Sequence, residues 1–196
     1  MMPWEHVLFG YIGYSLLVRG LRQDSPTTGE TVVVILASGG PDLIDKPLAW
    51  QFDLFASGYA LGHSVFTATV LSLLAVAVAY RQGRPRSALA FAVGYGTHLL
   101  GDIVPTSLGE PVAYGRILWP FVRGGDGYGT SFRFEAVENL TGYFGWIAEQ
   151  FAGGTLDPYF AALLGAAGLA LLLWVDDGLP VGVELYAGLT ALATRR

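Results

Sequence analysis

The sequence reads "LGHSVFTATVLSLLAVAVAY" over residues 61–80, "RQGRPR" over residues 81–86 and "SALAFAVGYGTHLLGDIV" over residues 87–104. Each apolar stretch is close to the roughly 20 residues that a helix needs to cross the hydrocarbon core of a bilayer. Because a short basic connection joins the two stretches, they must lie side by side and antiparallel. The segment therefore predicts a membrane-spanning helical hairpin.

The overall composition also indicates an integral membrane protein. Of 196 residues, 53% are hydrophobic and 14% are charged, and the mean hydropathy is +0.47, values that are too apolar for a typical soluble domain. The chain has no cysteine, which excludes disulfides and thiolate metal sites. A net charge of −5 argues against a nucleic-acid partner. Membrane lipids are the expected partners, and the oligomeric state is left open.

Further apolar stretches predict an all-α bundle of about four to six transmembrane helices. Residues 4–21 and 156–175 are each long enough to span. Residues 31–37 are too short, and they end at "SGGPD", where glycines and a proline favour a broken helix that opens into an unwound segment. The last apolar run, residues 179–193, is short enough to leave its crossing undecided.

Two stretches are typical of helices that lie at the level of the lipid headgroups. In the first, Leu48, Phe52, Phe55 and Tyr59 recur at helical spacing beside Trp50. In the second, residues 134–151 place most of their carboxylates off an apolar face. The plainer expectation for both helices, that each only covers the bundle, is the favoured one.

The positions of the arginines predict the orientation of the chain. Arginines end the first span and fill the hairpin loop, and the positive-inside tendency places both groups in the cytoplasm. Following the spans in order then brings all three histidines and three aspartates to the extracytoplasmic ends of their helices. These residues are His6, Asp42, Asp45, His63, His98 and Asp102.

This residue set suits a metal centre. His98 and Asp102 are four residues apart, so both project from one face of a helix, and Asp42 and Asp45 offer two more carboxylates. Imidazoles and carboxylates without thiolates favour zinc, manganese or iron, and carboxylate-rich sets favour hydrolytic sites with two metals. Two plainer interpretations stay open: the His98 and Asp102 pair as a structural hydrogen bond, and "PDLID" as the start of a helix.

Other polar residues near these positions have candidate roles. Ser64 and Thr106 are placed to make hydrogen bonds that orient the ligands. Asp45 and Glu5 are candidates for the general base of a hydrolytic reaction, a role that is open to either carboxylate if it does not bind metal.

Three ordered stretches carry a resemblance to a known family. "SGGPDLIDKP" (residues 38–47), "ALGHSVF" (60–66) and "GTHLLGDIVPTSLGEPVAYGRILWPF" (96–121) resemble motifs of the membrane-bound metal-dependent hydrolases, also described as LexA-binding, inner-membrane-associated hydrolases. His6 matches a histidine in the first helix of that family. The resemblance implies that the same three histidines and three aspartates bind metal. It covers residues 1–121. Together with the apolar pattern, it predicts a single membrane domain over residues 1–196, with a metal-site core at 1–121 and an interfacial helix followed by hydrophobic helices at 122–196.

One departure from the family pattern concerns the substrate. The family often shows H-R-G-x-T-H-S, whereas residues 58–64 read "GYALGHS", so Gly58 and Tyr59 replace a histidine and an arginine. Arginine commonly binds phosphate or carboxylate groups. Arg116 and Arg123, which flank "LWPF", are the candidates to supply this charge instead.

These observations lead to two expected functions. The first is a membrane hydrolase that uses one or two divalent ions, zinc before manganese or iron, to cleave a lipid-derived ester or phosphoester near the membrane surface. The alternative is a non-enzymatic membrane protein with a structural metal site, or a metal or proton transporter. The inner halves of the hairpin spans carry no ionisable side chain apart from tyrosine, which argues against a polar path across the membrane.

Overall fold

The computed structural model describes residues 1–105, 110–122, 132–153 and 156–193, and all regular structure in these ranges is helical. The helices are α1 (Pro3–Arg22), α2 (Thr28–Trp50), α3 (Val65–Arg81), α4 (Pro85–Ile103), α5 (Phe132–Ala152), α6 (Pro158–Asp176) and α7 (Gly182–Ala193), with a 3₁₀ turn at Tyr114–Ile117. The expected all-helical class is confirmed. Thr106 and Arg123 lie outside the described residues.

The first four helices form a bundle in which α2 and α4 run in the same direction. Arg86 at the start of α4 pairs with Glu30 near the start of α2, and His98 near the end of α4 contacts the carbonyl oxygen of Ser38 further along α2. Helices α1 and α3 run the opposite way, since α1 places Tyr14 against the start of α4 and a tight turn joins α3 to α4. The predicted hairpin is therefore present.

Small residues let α2 and α4 approach closely. A Cβ atom on Gly94 of α4 would lie 2.9 Å from the carbonyl oxygen of Val34 and 3.1 Å from Ser38 Oγ, both on α2. Close contact of this kind is a common way for helices to pack in membranes. The completely buried Tyr14, Val34 and Ala90 form a core beside this contact.

We expect Gly94→Ala to lower the free energy of unfolding by about 1–3 kcal/mol, because the added methyl group forces the α2 and α4 backbones apart. Gly96→Ala on the same helix is the matched control, since its Cβ meets nothing within 4 Å. Denaturation in detergent micelles measures both variants. Equal stability of the two variants would show that the close contact is unimportant.

Helix α6 lies parallel to α1, and contacts at both ends hold the two together. Tyr159 at the start of α6 donates a hydrogen bond to Glu5, and Asp176 at its end pairs with Arg19. Among the described helices, α6 alone is long and apolar enough to cross a membrane by itself, while α3 and α7 are apolar but shorter. The predicted count of four to six spans is not confirmed by this criterion.

Two local predictions for the segment around α2 are wrong. Helix α2 continues unbroken through Gly39, Gly40 and Pro41, because α1 and α4 pack against it. The interfacial helix expected over residues 48–59 is absent, since α2 ends at Trp50 and turns and bends follow it. This connection is instead held by backbone hydrogen bonds to a buried carboxylate, as described below. The amphipathic helix expected at residues 134–151 is present as α5.

Candidate metal centre

All six predicted ligand residues meet at one end of the bundle. They come from the first turns of α1, the second half of α2, the residue before the Ser64 cap of α3, and the last turns of α4. Their side chains are buried, with residue exposures of 0 to 4%. The set is His6, Asp42, Asp45, His63, His98 and Asp102.

Asp45 holds His63 in a defined orientation. Its carboxylate accepts hydrogen bonds from the backbone N–H groups of Ala60, Gly62 and His63 at 2.7 to 3.0 Å. It also lies 2.9 Å from Nδ1 of the His63 ring. Because a carboxylate only accepts hydrogen bonds, Nδ1 of His63 carries the proton and Nε2 of the neutral ring has a free lone pair.

His98 is oriented in the same way by the backbone of α2. Its Nδ1 lies 2.6 Å from the carbonyl oxygen of Ser38, which can only accept a hydrogen bond. The neutral His98 ring therefore also carries its free lone pair on Nε2. A hydrogen bond from the outer nitrogen to a carboxylate or a carbonyl is the usual support of a metal-binding histidine.

These two free lone pairs point into one small volume. The Nε2 atoms of His63 and His98 are 3.0 Å apart, and Asp102 Oδ2 lies 3.1 Å from the first and 3.2 Å from the second. Three electron-pair donors at this distance repel one another unless a proton or a metal cation lies among them. Ligand atoms on a tetrahedral zinc ion, with bonds near 2.0–2.1 Å, are about 3.3 Å apart, so the spacing suits a bound metal.

Two further side chains complete the cluster. His6 Nε2 is 3.3 Å from Asp102 Oδ1, and Asp42 Oδ1 is 3.4 Å from His63 Nε2. In the described part of the chain, both nitrogens of His6 and one oxygen each of Asp42 and Asp102 have no hydrogen-bond partner. Buried polar atoms are rarely left in this state, so an ion or an ordered water is expected among them.

The electrostatics of the cluster favour positive charge. Lys46 Nζ lies 2.6 Å from Asp42 Oδ1, and the Met1 amino group lies 3.8 Å from Asp102 Oδ1. Three buried carboxylates, those of Asp42, Asp45 and Asp102, lie among the three imidazoles, so the cluster carries negative charge that attracts cations.

A cavity of about 380 Å³ opens beside the cluster, and Glu5 and Lys46 are part of its lining. Glu5 is buried, and its two oxygens accept hydrogen bonds from the Met2 backbone N–H and from the hydroxyls of Tyr143 and Tyr159. Glu5 thus ties α5 and α6 to α1. With both oxygens engaged, it is better placed to hold these tyrosines than to accept a proton from water.

Two predicted roles do not agree with the geometry. The Ser64 hydroxyl caps α3 at Thr67 and donates to the carbonyl oxygen of Trp119, so Ser64 acts as a helix cap and not as the expected partner of a ligand. The Arg116 guanidinium donates to the backbone carbonyl of Asp102 and lies over the Tyr59 ring. It is therefore already engaged and does not point freely toward a substrate.

Sequence reasoning missed Lys46, Tyr143 and Tyr159. Lys46 had a detectable signal, since it is the single lysine of the chain and stands four residues after Asp42. The two tyrosines had none, because they reach Glu5 from more than 130 residues away in sequence.

The comparisons with known proteins yield one match. No curated protein and no solved structure is significantly similar to the chain. A family model described as YdjM inner membrane protein matches residues 1–179. The match extends past residue 121, where the motif resemblance ends, and includes α5 and α6. The chain therefore belongs to the YdjM inner membrane protein family, whose members are located in the inner membrane of the cell.

Proposed function

We propose that the protein is a membrane-embedded, metal-dependent hydrolase that cleaves a lipid-derived ester or phosphoester near the membrane surface. One observation carries the proposal: the free lone pairs of His63, His98 and Asp102 face one another at 3.0 to 3.2 Å. A set of nitrogen and oxygen donors favours zinc, and it also suits manganese or iron.

Asp102 could hold two ions, one through each oxygen. Its Oδ1 faces His6, whereas its Oδ2 faces His63 and His98. An imidazole nitrogen binds one ion at a time, so His98 would bind one ion only. Asp42 would join the ion at His63. The residues thus suit one ion near His63 and His98, with room for a second near His6.

The residues around the cluster support hydrolysis. A divalent ion held there would activate water as a nucleophile and polarise the scissile phosphoryl or carbonyl group. Asp45 and the Ser38 carbonyl bind the Nδ1 atoms of His63 and His98 and so hold the Nε2 atoms toward the cluster. Lys46 pairs with Asp42 and also lines the cavity, so it is placed to supply positive charge to an anionic oxygen of the substrate, whereas Arg116 does not line the cavity.

The contacts between α1 and α6 support a bundle of four to six spans. If α6 crosses the membrane, α1 covers the same depth, because the two helices are joined at both ends. The metal cluster then lies level with the start of α6, where the aromatic rings of Trp4, Tyr143 and Trp146 pack together. Such rings are typical of the headgroup region. The arginines at the other end favour an extracytoplasmic cluster, where a lipid presents its headgroup.

Complete burial of His63 and His98 favours one alternative, a structural ion in a protein without enzymatic activity. Catalytic metal sites keep a coordination position open, whereas structural sites are closed. The cavity lined by Glu5 and Lys46 supports the catalytic interpretation, because Lys46 also contacts Asp42 of the cluster.

Hydrolysis of detergent-solubilised phospholipids and lipid phosphates by the purified protein tests the proposal. We expect cleavage that stops when a chelator removes the metal and returns when zinc or manganese is added. Retained metal without hydrolysis of any lipid ester or phosphoester would favour the structural ion. Hydrolysis that persists in a chelated, metal-free sample would refute the proposed chemistry.

A further inference from the structure

A second cavity lies at the end of the bundle opposite the metal cluster. It has a volume of about 520 Å³ and lies between the connection from α1 to α2 and the turn from α3 to α4. Its lining includes Arg22 from the end of α1, and Arg84 and Arg86 from the turn that leads into α4. The fold thus brings three guanidinium groups around one polar cavity.

The three arginines differ in whether a carboxylate neutralises their charge. Arg86 is engaged, because it pairs with Glu30 through Nε at 2.8 Å and with Asp24 through NH1 at 2.5 Å. Arg22 and Arg84 are exposed and form no ion pair within the ranges that the structure describes. Among the described lining residues, Glu30 is the single carboxylate, and it is already paired with Arg86. The cavity therefore carries an excess of positive charge.

An apolar groove adjoins this basic cavity. The groove has a volume of about 260 Å³ between α3 and α4, and Pro85 forms part of the wall of both. Its other lining includes Val76, Tyr80 and Leu89, and Val76 and Tyr80 are 50% and 80% exposed. A cationic cavity that adjoins an apolar groove at the end of a helical bundle matches the two parts of a phospholipid.

We propose that the basic cavity and the groove together bind a membrane phospholipid with an anionic headgroup. Its phosphate lies between Arg22 and Arg84, and one acyl chain follows the groove between α3 and α4. Basic residues next to membrane helices attract anionic lipids by about 1 kcal/mol for each charge. Loss of both arginines therefore weakens binding about 30-fold, and loss of one weakens it about fivefold.

Native mass spectrometry of the full chain in detergent, with dioleoyl phosphatidylglycerol and dioleoyl phosphatidylcholine as probes, tests this site. The unaltered protein binds phosphatidylglycerol preferentially. The double variant Arg22→Gln, Arg84→Gln loses this preference, and each single variant loses part of it. The matched control is Arg81→Gln, Arg133→Gln, which removes two exposed arginines that do not line the cavity and leaves binding unchanged.

Two further measurements separate a lipid site from a simple anion site. Ala92→Phe fills the groove and weakens binding of phosphatidylglycerol, while a large excess of sn-glycerol 3-phosphate, which has the phosphate but no acyl chain, does not displace the lipid. Equal binding of the two lipids, unchanged binding by the double variant, or full displacement by glycerol phosphate would each overturn the proposal. Thermal melting of every variant confirms that the helices remain folded.

Discussion

Replacing Asp177 by alanine is expected to lower the free energy of unfolding by about 3 kcal/mol. Its side chain is completely buried and lies where α6 ends against α1. The carboxylate accepts hydrogen bonds from Tyr11 Oη at 2.6 Å and Ser15 Oγ at 2.7 Å, and it pairs with Arg19. Alanine leaves Tyr11 and Ser15 without this acceptor and leaves Arg19 with the exposed Asp176, so the end of α6 is held to α1 more weakly.

The neighbouring residue provides the control for this prediction. Asp176 pairs with the same Arg19 at 2.6 Å, but its side chain is 70% exposed, and exposed ion pairs contribute about 0–1 kcal/mol. We therefore expect Asp176→Ala to change stability by less than about 1 kcal/mol. Unfolding in mixed micelles compares the two variants. A loss of equal size for both would mean that the buried network does not hold α6 to α1.

The Asp102→Asn variant is expected to lose at least about 100-fold in metal affinity and, with it, hydrolytic activity. Asp102 faces three histidines through two oxygens. An asparagine offers one neutral oxygen and turns an N–H donor toward the cluster, so it neither balances the charge of the ion nor bridges two ions. Competition with a chromophoric zinc chelator measures the affinity.

Variants of two other aspartates provide the comparison for this loss of metal affinity. Asp45→Asn weakens the support of His63 without removing an atom that faces the cluster, so we expect a 10- to 100-fold loss of affinity. Asp53→Asn changes an exposed residue in the same connection and leaves metal binding unchanged. If Asp102→Asn binds zinc as tightly as Asp53→Asn, the proposed ligand set is incorrect.

Sequence reasoning located the cluster because its signal depends on topology alone. Histidines and aspartates stand at the ends of successive apolar stretches, and alternating the direction of those stretches brings the ends together. The structure places His6, His63, His98 and Asp102 within hydrogen-bonding distance of one another or close to it. Precise helix ends and side-chain directions were not needed for this prediction.

The incorrect predictions relied on local signals that tertiary contacts override. Gly39, Gly40 and Pro41 favour a break, yet α2 continues because it is packed against α1 and α4. The apolar spacing after Leu48 suggested a helix. Instead, the buried Asp45 carboxylate accepts hydrogen bonds from the backbone N–H groups of Ala60, Gly62 and His63, which stabilises an irregular connection.

The part of the site that sequence could not supply comes from distant helices. Tyr143 and Tyr159 reach Glu5 from α5 and α6, and no short motif encodes a contact between segments so far apart. The same holds for the role of Asp45, which depends on the path of the connection that follows α2.

The metal-to-protein ratio of the purified, unaltered chain shows whether these histidines and aspartates form one cation site. After incubation with zinc, manganese or ferrous iron and extensive dialysis, we expect one or two tightly bound ions for each chain. A chain that keeps essentially no metal after this treatment would contradict it.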